Sequence, residues 1–485
     1  MNLATYERVQ RFDTSLKQPR IKYPLSPDQL RKLAGDFITL LGINCSIRIQ
    51  CQDSDDDSGE VDEAVAFLAE EHPELEVVVI SGDICHQSGL DGTLLLHDKG
   101  LSSLLGLPNL QVLQVKGAVI TGEELVEKRE PGTIQNLSLA CCPFVKDTGL
   151  DNILASCSPA LKALDIRSTK VCGEGLTGLD QLETAKLAKC FEIEDEGLNN
   201  LLLKCGSTLK YLDVHQTGIT GEDITVSCPR LQHLDISLCV FVRDSGLKNL
   251  LAGCSSNLKS LELKNTLTMR EPFLIEEYFP KQEHPTFPKL EHLSLGDRTR
   301  DETLKCLLER CGPGLISLDL FNTDISGKET SVDLPRLENL NLEECGSVTD
   351  LYNVLEKYGP GLKSLNLSEV KSSRSEILRI LDLDLPHLEN LSLNPLFYLE
   401  NQHLAQLLAK WGTKLKSLAV KRNVRAGIEL PNVALNCLES LDLSDCCEVT
   451  DIELNTVLQC CNHSLKSLTL SETQVAGTRT THGVC

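Results

Sequence analysis

Tyr211, Asp213 and His215 stand at alternate positions of one short segment, and His233 and Asp235 repeat that pattern one segment later. A carboxylate beside an imidazole is the pairing from which general bases and ion pairs are built. Glu262 and Phe321 fall in the same columns further along the chain. Proton-transfer catalysis also needs a reacting group held near the base, and no nucleophile is placed with these residues. Other catalytic signatures are missing too. Ser326-Gly-Lys-Glu329 lacks both the upstream Gly and the Ser/Thr of a phosphate loop. There is no His-Glu-x-x-His, no Gly-x-Ser-x-Gly and no zinc-spaced cysteine pair. The expectation is therefore recognition and not catalysis, with no cofactor and no metal. Aromatic side chains among hydrogen-bonding ones make binding hot spots.

The elements that position these residues are repeats. The template L-x-x-L-x-L-x-x-C/T starts at Leu75, Leu110, Ile134, Leu161, Leu182, Leu209, Leu231, Leu258, Leu290, Leu315, Leu337, Leu362, Leu388, Leu415, Leu438 and Leu465. Its x-L-x-L-x stretch alternates as a short strand does, with Leu inside and the intervening side chains on the opposite face. Stacking such units gives an α/β solenoid: a curved horseshoe with a parallel sheet on the concave face and helices and short turns outside. Tyr211, Asp213, His215, His233, Asp235, Glu262 and Phe321 then lie toward the middle of the concave surface.

Long and short units alternate. Long units carry Asp or Asn thirteen residues after their start, at Asp147, Asp195, Asp244, Asp350, Asn401 and Asp451, with Asp301 in the same role two residues early. This residue type there predicts a helix N-cap, and apolar residues follow at helical spacing. Short units often enter the strand through Pro, as at Pro229 and Pro335, and leave room only for loops or single turns. Four residues before the next strand comes Cys157, Cys205, Cys254, Cys311, Tyr358, Trp411 or Cys461, which predicts a partly buried slot. The ninth position alternates as well: Cys142, Cys190, Cys239, Cys345 and Cys446 in long units, Thr169, Thr217, Thr266, Thr323 and Thr473 in short ones. A small inward residue that bonds loop backbone fits both types. Cysteines of this ladder recur every second unit, roughly 9–10 Å apart for strands spaced ~4.8 Å, too far for a disulfide or a shared zinc.

Stretches such as Leu438-Glu-Ser-Leu-Asp-Leu-Ser-Asp-Cys446-Cys-Glu-Val-Thr-Asp451 resemble cysteine-containing leucine-rich repeats. That subclass is typical of F-box/leucine-rich-repeat proteins, the substrate receptors of cullin–RING ubiquitin ligases. The resemblance covers about residues 75–485 and implies a protein-recognition scaffold, most directly a substrate-binding or adaptor subunit, with cullin–RING components among its partners. No F-box is recognisable before the repeats. Ser26-Pro-Asp-Gln29 instead reads as a helix start, with Leu30, Leu33, Ala34, Phe37, Ile38 and Leu41 on one stripe. The chain also resembles the ribonuclease-inhibitor family in acidity, cysteine content and alternating repeats. That alternative implies a stoichiometric inhibitor of a basic protein. A structural scaffold is a further alternative.

The expected organisation is a capping region over 1–74, with a helix near 26–42 and an acidic loop at 53–63, then a solenoid over 75–485 with an expanded unit at 264–289. Counting from Asp53, the sixth and twelfth places hold Ser58 and Ala64, which is not the Gly and Glu of a calcium loop. The expanded unit carries Phe273, Tyr278 and Phe279, aromatic candidates for client contact. A formal charge of −23, from 70 acidic and 47 basic residues, disfavours nucleic acid and anionic membranes and suits a basic protein client. The 21 cysteines are an odd count and fall mostly at inward repeat positions; with no apolar leader over Met1–Arg20 they are expected to be reduced, in a cytoplasmic or nuclear protein.

Overall fold

The structure is a computed structural model. It describes residues 46–51, 60–82, 96–125, 132–157, 159, 161–174, 179–266, 286–297, 299–311, 313–328, 331–346, 348–394, 401–421, 435–446, 449–461 and 464–475. The predicted helix at 26–42 and the insertion residues Phe273, Tyr278 and Phe279 lie outside them, as do residues 476–485.

The chain divides into two compact units, Met1–Ile193 and Glu194–Cys485. In the first, β1 (Ser46–Cys51), β2 (Val77–Gly82), β3 (Val112–Lys116), β4 (Asn136–Ser138), β5 (Ala163–Asp165) and β6 (Thr184–Lys186) pair in parallel, in chain order. Helices α1 (Glu60–Glu71), α2 (Asp98–Leu105) and α3 (Asp147–Ala155) separate some of them. The last residues of the expected acidic loop, Glu60 to Glu63, are helical and open α1.

In the second unit β7 (Tyr211–Asp213), β8 (His233–Asp235), β9 (Ser260–Glu262), β10 (His292–Ser294) and β11 (Ser317–Asp319) continue the same scheme. It runs on through β12 (Asn339–Asn341), β13 (Ser364–Asn366), β14 (Asn390–Ser392), β15 (Ser417–Ala419), β16 (Ser440–Asp442) and β17 (Ser467–Thr469). Helices α4 (Asp195–Cys205), α5 (Asp244–Ala252), α6 (Asp301–Leu308), α7 (Leu351–Tyr358), α8 (Arg374–Arg379), α9 (Asn401–Trp411) and α10 (Asp451–Cys460) lie between strands. One shorter segment departs from the expected single turn: α8 is a helix, capped by Ser373, whose hydroxyl accepts from the Glu376 N–H.

The core is the leucine spine. Leu212, Leu234, Leu261, Leu293 and Leu318 sit at the centres of successive strands and are 0–2% exposed. In eleven of the repeats the chain turns out of its strand at the eighth position through a left-handed non-glycine residue. Cys141, Ser168, Lys189, Gln216, Leu238, Asn265, Asn322, Glu344, Glu369, Asp445 and Glu472 all have φ between 54° and 62°. That turn swings the ninth side chain inward. The Cys190 thiol and the Thr169 hydroxyl both donate to the Ile166 carbonyl, at 3.0 and 2.7 Å. Cys239 and Thr217 converge in the same way on the Val214 carbonyl, at 3.0 and 2.7 Å. The Thr/Cys alternation is thus two donors sharing one buried acceptor. Cys142, Cys157, Cys190, Cys239, Cys254 and Cys345 are free thiols. Burial pushes the Cys142, Cys157 and Cys254 thiols up to about 12.

Two sequence expectations need correction. The slot before the strand is more deeply buried than expected at most of its places: Cys157, Cys205, Cys254, Trp411 and Cys461 are 0–3% exposed and Tyr358 is 8% exposed, while Cys311 stays partly exposed. Small occupants bond their own helix, as Cys205 Sγ does to the Leu201 carbonyl at 3.2 Å. Large ones reach back a repeat, as Trp411 Nε1 does to the Leu383 carbonyl at 3.1 Å. Three of the long-unit aspartates, in turn, do not cap their own helices. Asp147, Asp195 and Asp301 are the first helical residues, and their N-cap positions make no side-chain cap bond. Their carboxylates instead grip the turn of the following repeat. Asp195 accepts from the Thr220 N–H and hydroxyl at 2.8 and 2.6 Å and from the Gly221 and Asp223 N–H groups at 2.9 and 3.2 Å. Asp98, Asp147 and Asp301 hold Thr121-Gly122, Cys172-Gly173 and Ser326-Gly327 in the same manner. Gly221 takes φ +78°, which glycine adopts without strain.

Candidate functional site

The open face of the second unit's sheet carries all seven predicted surface residues. Parallel register places Tyr211 against His233 and Asp213 against Asp235. The next pairing sets Asp235 against Glu262, and Asp319 lies two strands beyond β9. Tyr211 and His233 rings stack at a tilt, 5.7 Å between centroids. His215 Nδ1 lies 3.3 Å from Asp213 Oδ1, which also accepts the His215 N–H at 3.1 Å. Phe321 stands further along, with the Lys264 ammonium 5.7 Å from its ring centroid.

Part of the acidic column has a structural cause. Asp213, Asp235 and Asp319 each accept the backbone N–H two residues on, at 3.1, 2.8 and 3.1 Å. Asn341 and Asn366 do the same. The strand ends there, so this N–H leaves the ladder, and a short Asx side chain satisfies it. Glu262 is one methylene longer, and no such bond is found for it among the described residues.

The cluster is electrostatically uneven. Burial raises the Glu262 pKa, and Asp235 adds repulsion that Lys264 partly offsets. Burial likewise raises that of Asp213, where the Asp235 charge works against the hydrogen bond from the His215 N–H. Burial lowers His233, helped by His292 and Lys259. Lys264 is drawn to Asp319, Nζ to Oδ2 at 2.5 Å. Among the described residues, Asp213 has only the His215 imidazole beside it, and Lys264 is committed to Asp319 and not to Asp235 or Glu262. Elsewhere on this unit charges balance in pairs, such as Lys363–Glu338 and Lys416–Glu389, both at 2.8 Å.

Repeated parallel strands, a left-handed turn at the eighth residue and an inward ninth side chain define the architecture. This is a leucine-rich-repeat fold. No protein-family model matches the leucine-rich-repeat chain, and no curated protein matches it. Solved structures are similar at low identity. A chain of the Rad7 and Elc1 complex in yeast is 16% identical, with a TM-score of 0.44 over 99% of this chain and 94% of that one. An internalin, InlF, from Listeria monocytogenes is 17% identical, with a TM-score of 0.33 over 94% of each chain. A chain of a TLR13–ssRNA13 complex is 15% identical, with a TM-score of 0.42 over 88% of this chain and 64% of that one.

Several features of this leucine-rich-repeat surface escaped sequence reasoning. Ser237 follows Asp235 on the same face; it is 8% exposed, and its hydroxyl has no partner among the described residues. Leu238, the next residue, is the one aliphatic side chain in the left-handed set and is 36% exposed. Val240 and Phe241 beside it are 45% and 59% exposed. The pattern of the sheet predicts that the eighth position turns outward, but nothing in the sequence says that an apolar side chain there stays uncovered. Among the described residues no helix is long and apolar enough to cross a membrane.

Proposed function

We propose that this leucine-rich-repeat chain is a protein-recognition subunit whose client docks on the open sheet face around Tyr211, Asp213, His215, His233, Asp235, Glu262 and Phe321. The observation that carries this reading is the juxtaposition of under-neutralised acids with exposed apolar residues. Asp213, Asp235 and Glu262 form a same-sign row on adjacent strands. Leu238, Val240 and Phe241 stand uncovered at its edge. A client offering Lys or Arg beside an apolar side chain complements both features. The strands are fixed by packing, so the surface pays little ordering entropy on binding. Phe273, Tyr278 and Phe279 of the expanded unit are proposed as additional contacts.

The cysteine-containing repeats resemble those of ubiquitin-ligase receptors, which favours an adaptor role with cullin–RING components attached through a surface other than an F-box. The acidic row equally suits stoichiometric inhibition of a basic protein. Affinity purification with mass spectrometry separates the two. Cullin–RING components recovered with the bait support the adaptor. A single basic protein released by moderate salt supports the inhibitor. Recovery unchanged by Tyr211→Ala combined with Asp235→Lys removes this face as the docking surface under either reading.

A further inference from the structure

Asp213, His215 and Asp235 bring one ligand-type atom each to within 4.8 Å of one another. They occupy three corners of a two-by-two grid on adjacent strands: Asp213 beside Asp235 by register, and His215 two residues beyond Asp213 on the same face. The fourth corner is Ser237. The Gln216 N–H donates to the Ser237 carbonyl at 2.9 Å, which holds the two chain segments side by side beyond the ladder. The Ser237 N–H is taken up by Asp235 Oδ1 at 2.8 Å, so the residue is clamped against the cluster. Its hydroxyl is buried without a hydrogen-bond partner among the described residues. A buried hydroxyl in that condition costs free energy unless something in the site engages it.

We propose that Asp213, His215 and Asp235 bind a divalent transition cation of the zinc type, with the Ser237 hydroxyl accepting a hydrogen bond from water in its coordination sphere. Two carboxylates and one imidazole make a mixed oxygen–nitrogen set, which suits zinc and its first-row neighbours better than calcium or magnesium. Ligand bonds of ~2.0–2.2 Å need the donor atoms closer than in the free cluster, a change within reach of side-chain rotation. Three protein ligands leave one position for water, which is the group the Ser237 hydroxyl would meet. The ion would sit within the proposed docking surface, leaving Glu262 and the Leu238 edge to the client.

The test uses the full chain, reduced and without any client, so it stands or falls apart from the docking proposal. Calorimetric titration with zinc is expected to show one equivalent bound. Cobalt is expected to give visible bands without the intense thiolate charge-transfer absorption that cysteine ligation would add, and zinc should displace it. His215→Ala and Asp235→Asn should each weaken zinc binding at least tenfold, and Ser237→Ala about tenfold. Asp235→Asn keeps an oxygen for the Ser237 N–H, so the fold is preserved; a melt matching the parent confirms that. Absence of zinc binding by the parent chain overturns the site. So does binding that survives both ligand substitutions, or a cobalt spectrum dominated by thiolate.

Discussion

Asp195 and Asp213 belong to the same unit, are both buried at 7% exposure, and have opposite acidities. At Asp195 burial pushes the pKa up but is outweighed by donors from Thr220, Gly221 and Asp223, so the net shift is downward. At Asp213 burial prevails, one backbone N–H opposes it, and Asp235 stands alongside. The first acid is saturated by donors of the next repeat and acts as a clip between repeats. The second has acceptor capacity left over and a like charge beside it. A carboxylate that is buried and under-satisfied marks the place where an outside group is needed.

The largest effect should come from what both acids stand on. Leu234→Ala empties the spine beneath Asp235 and should cost about 2–5 kcal/mol in urea unfolding; a change under 1 kcal/mol would mean that the repeats can collapse around the gap. Asp195→Ala leaves several turn N–H groups without an acceptor and should cost about 3 kcal/mol. An unchanged melting midpoint would reduce the clip to decoration.

The clip also depends on close approach. An added Cβ at Gly246 would lie 2.0 Å from the Thr220 carbonyl oxygen, so Gly246→Ala should cost about 1–3 kcal/mol by forcing the helix off the turn. On the open face the sign should invert. Asp213→Asn retains an acceptor for the His215 N–H and removes a like charge, so stability should hold or rise by up to about 1 kcal/mol while client recovery falls.

Acidity separates the two classes once more. Asp195 has a lowered folded pKa, so its stabilisation is present above the unfolded value of about 3.9 and is lost as pH falls through the folded one. Asp213 and Glu262 have raised folded pKa values, so their contribution favours the fold at low pH and is lost as pH rises through those values. The stability difference between parent and Asp195→Asn should therefore shrink from pH 7 to pH 3. That between parent and Asp213→Asn should change in the opposite sense, the parent gaining on the variant as pH falls.

Much of this was legible in advance. The leucine offsets placed strands β2 to β17, because period-two alternation and a fixed repeat leave one arrangement that buries every Leu. Tyr211 and His233, and Asp213, Asp235 and Glu262, stand at matching register positions of adjacent strands, since a fixed repeat assigns register directly. The clip was misread. Asp followed by helical spacing looks like a cap, and its true partners, Thr220-Gly221 and Ser326-Gly327, lie in the following repeat. Local pattern does not carry a contact that only stacking creates. Ser237 was passed over for the same reason: a serine in a turn is ordinary until its neighbours enclose it.

The order of leucines, small ninth residues and helical stretches in the chain was sufficient to specify repeated strands with one dry face and one polar face, because burying apolar side chains is periodic and local. Which carboxylates are satisfied and which are left wanting was decided only when repeat met repeat. Hydrogen-bond partners and like charges come from the neighbouring strand, and their count depends on distances that no single segment contains.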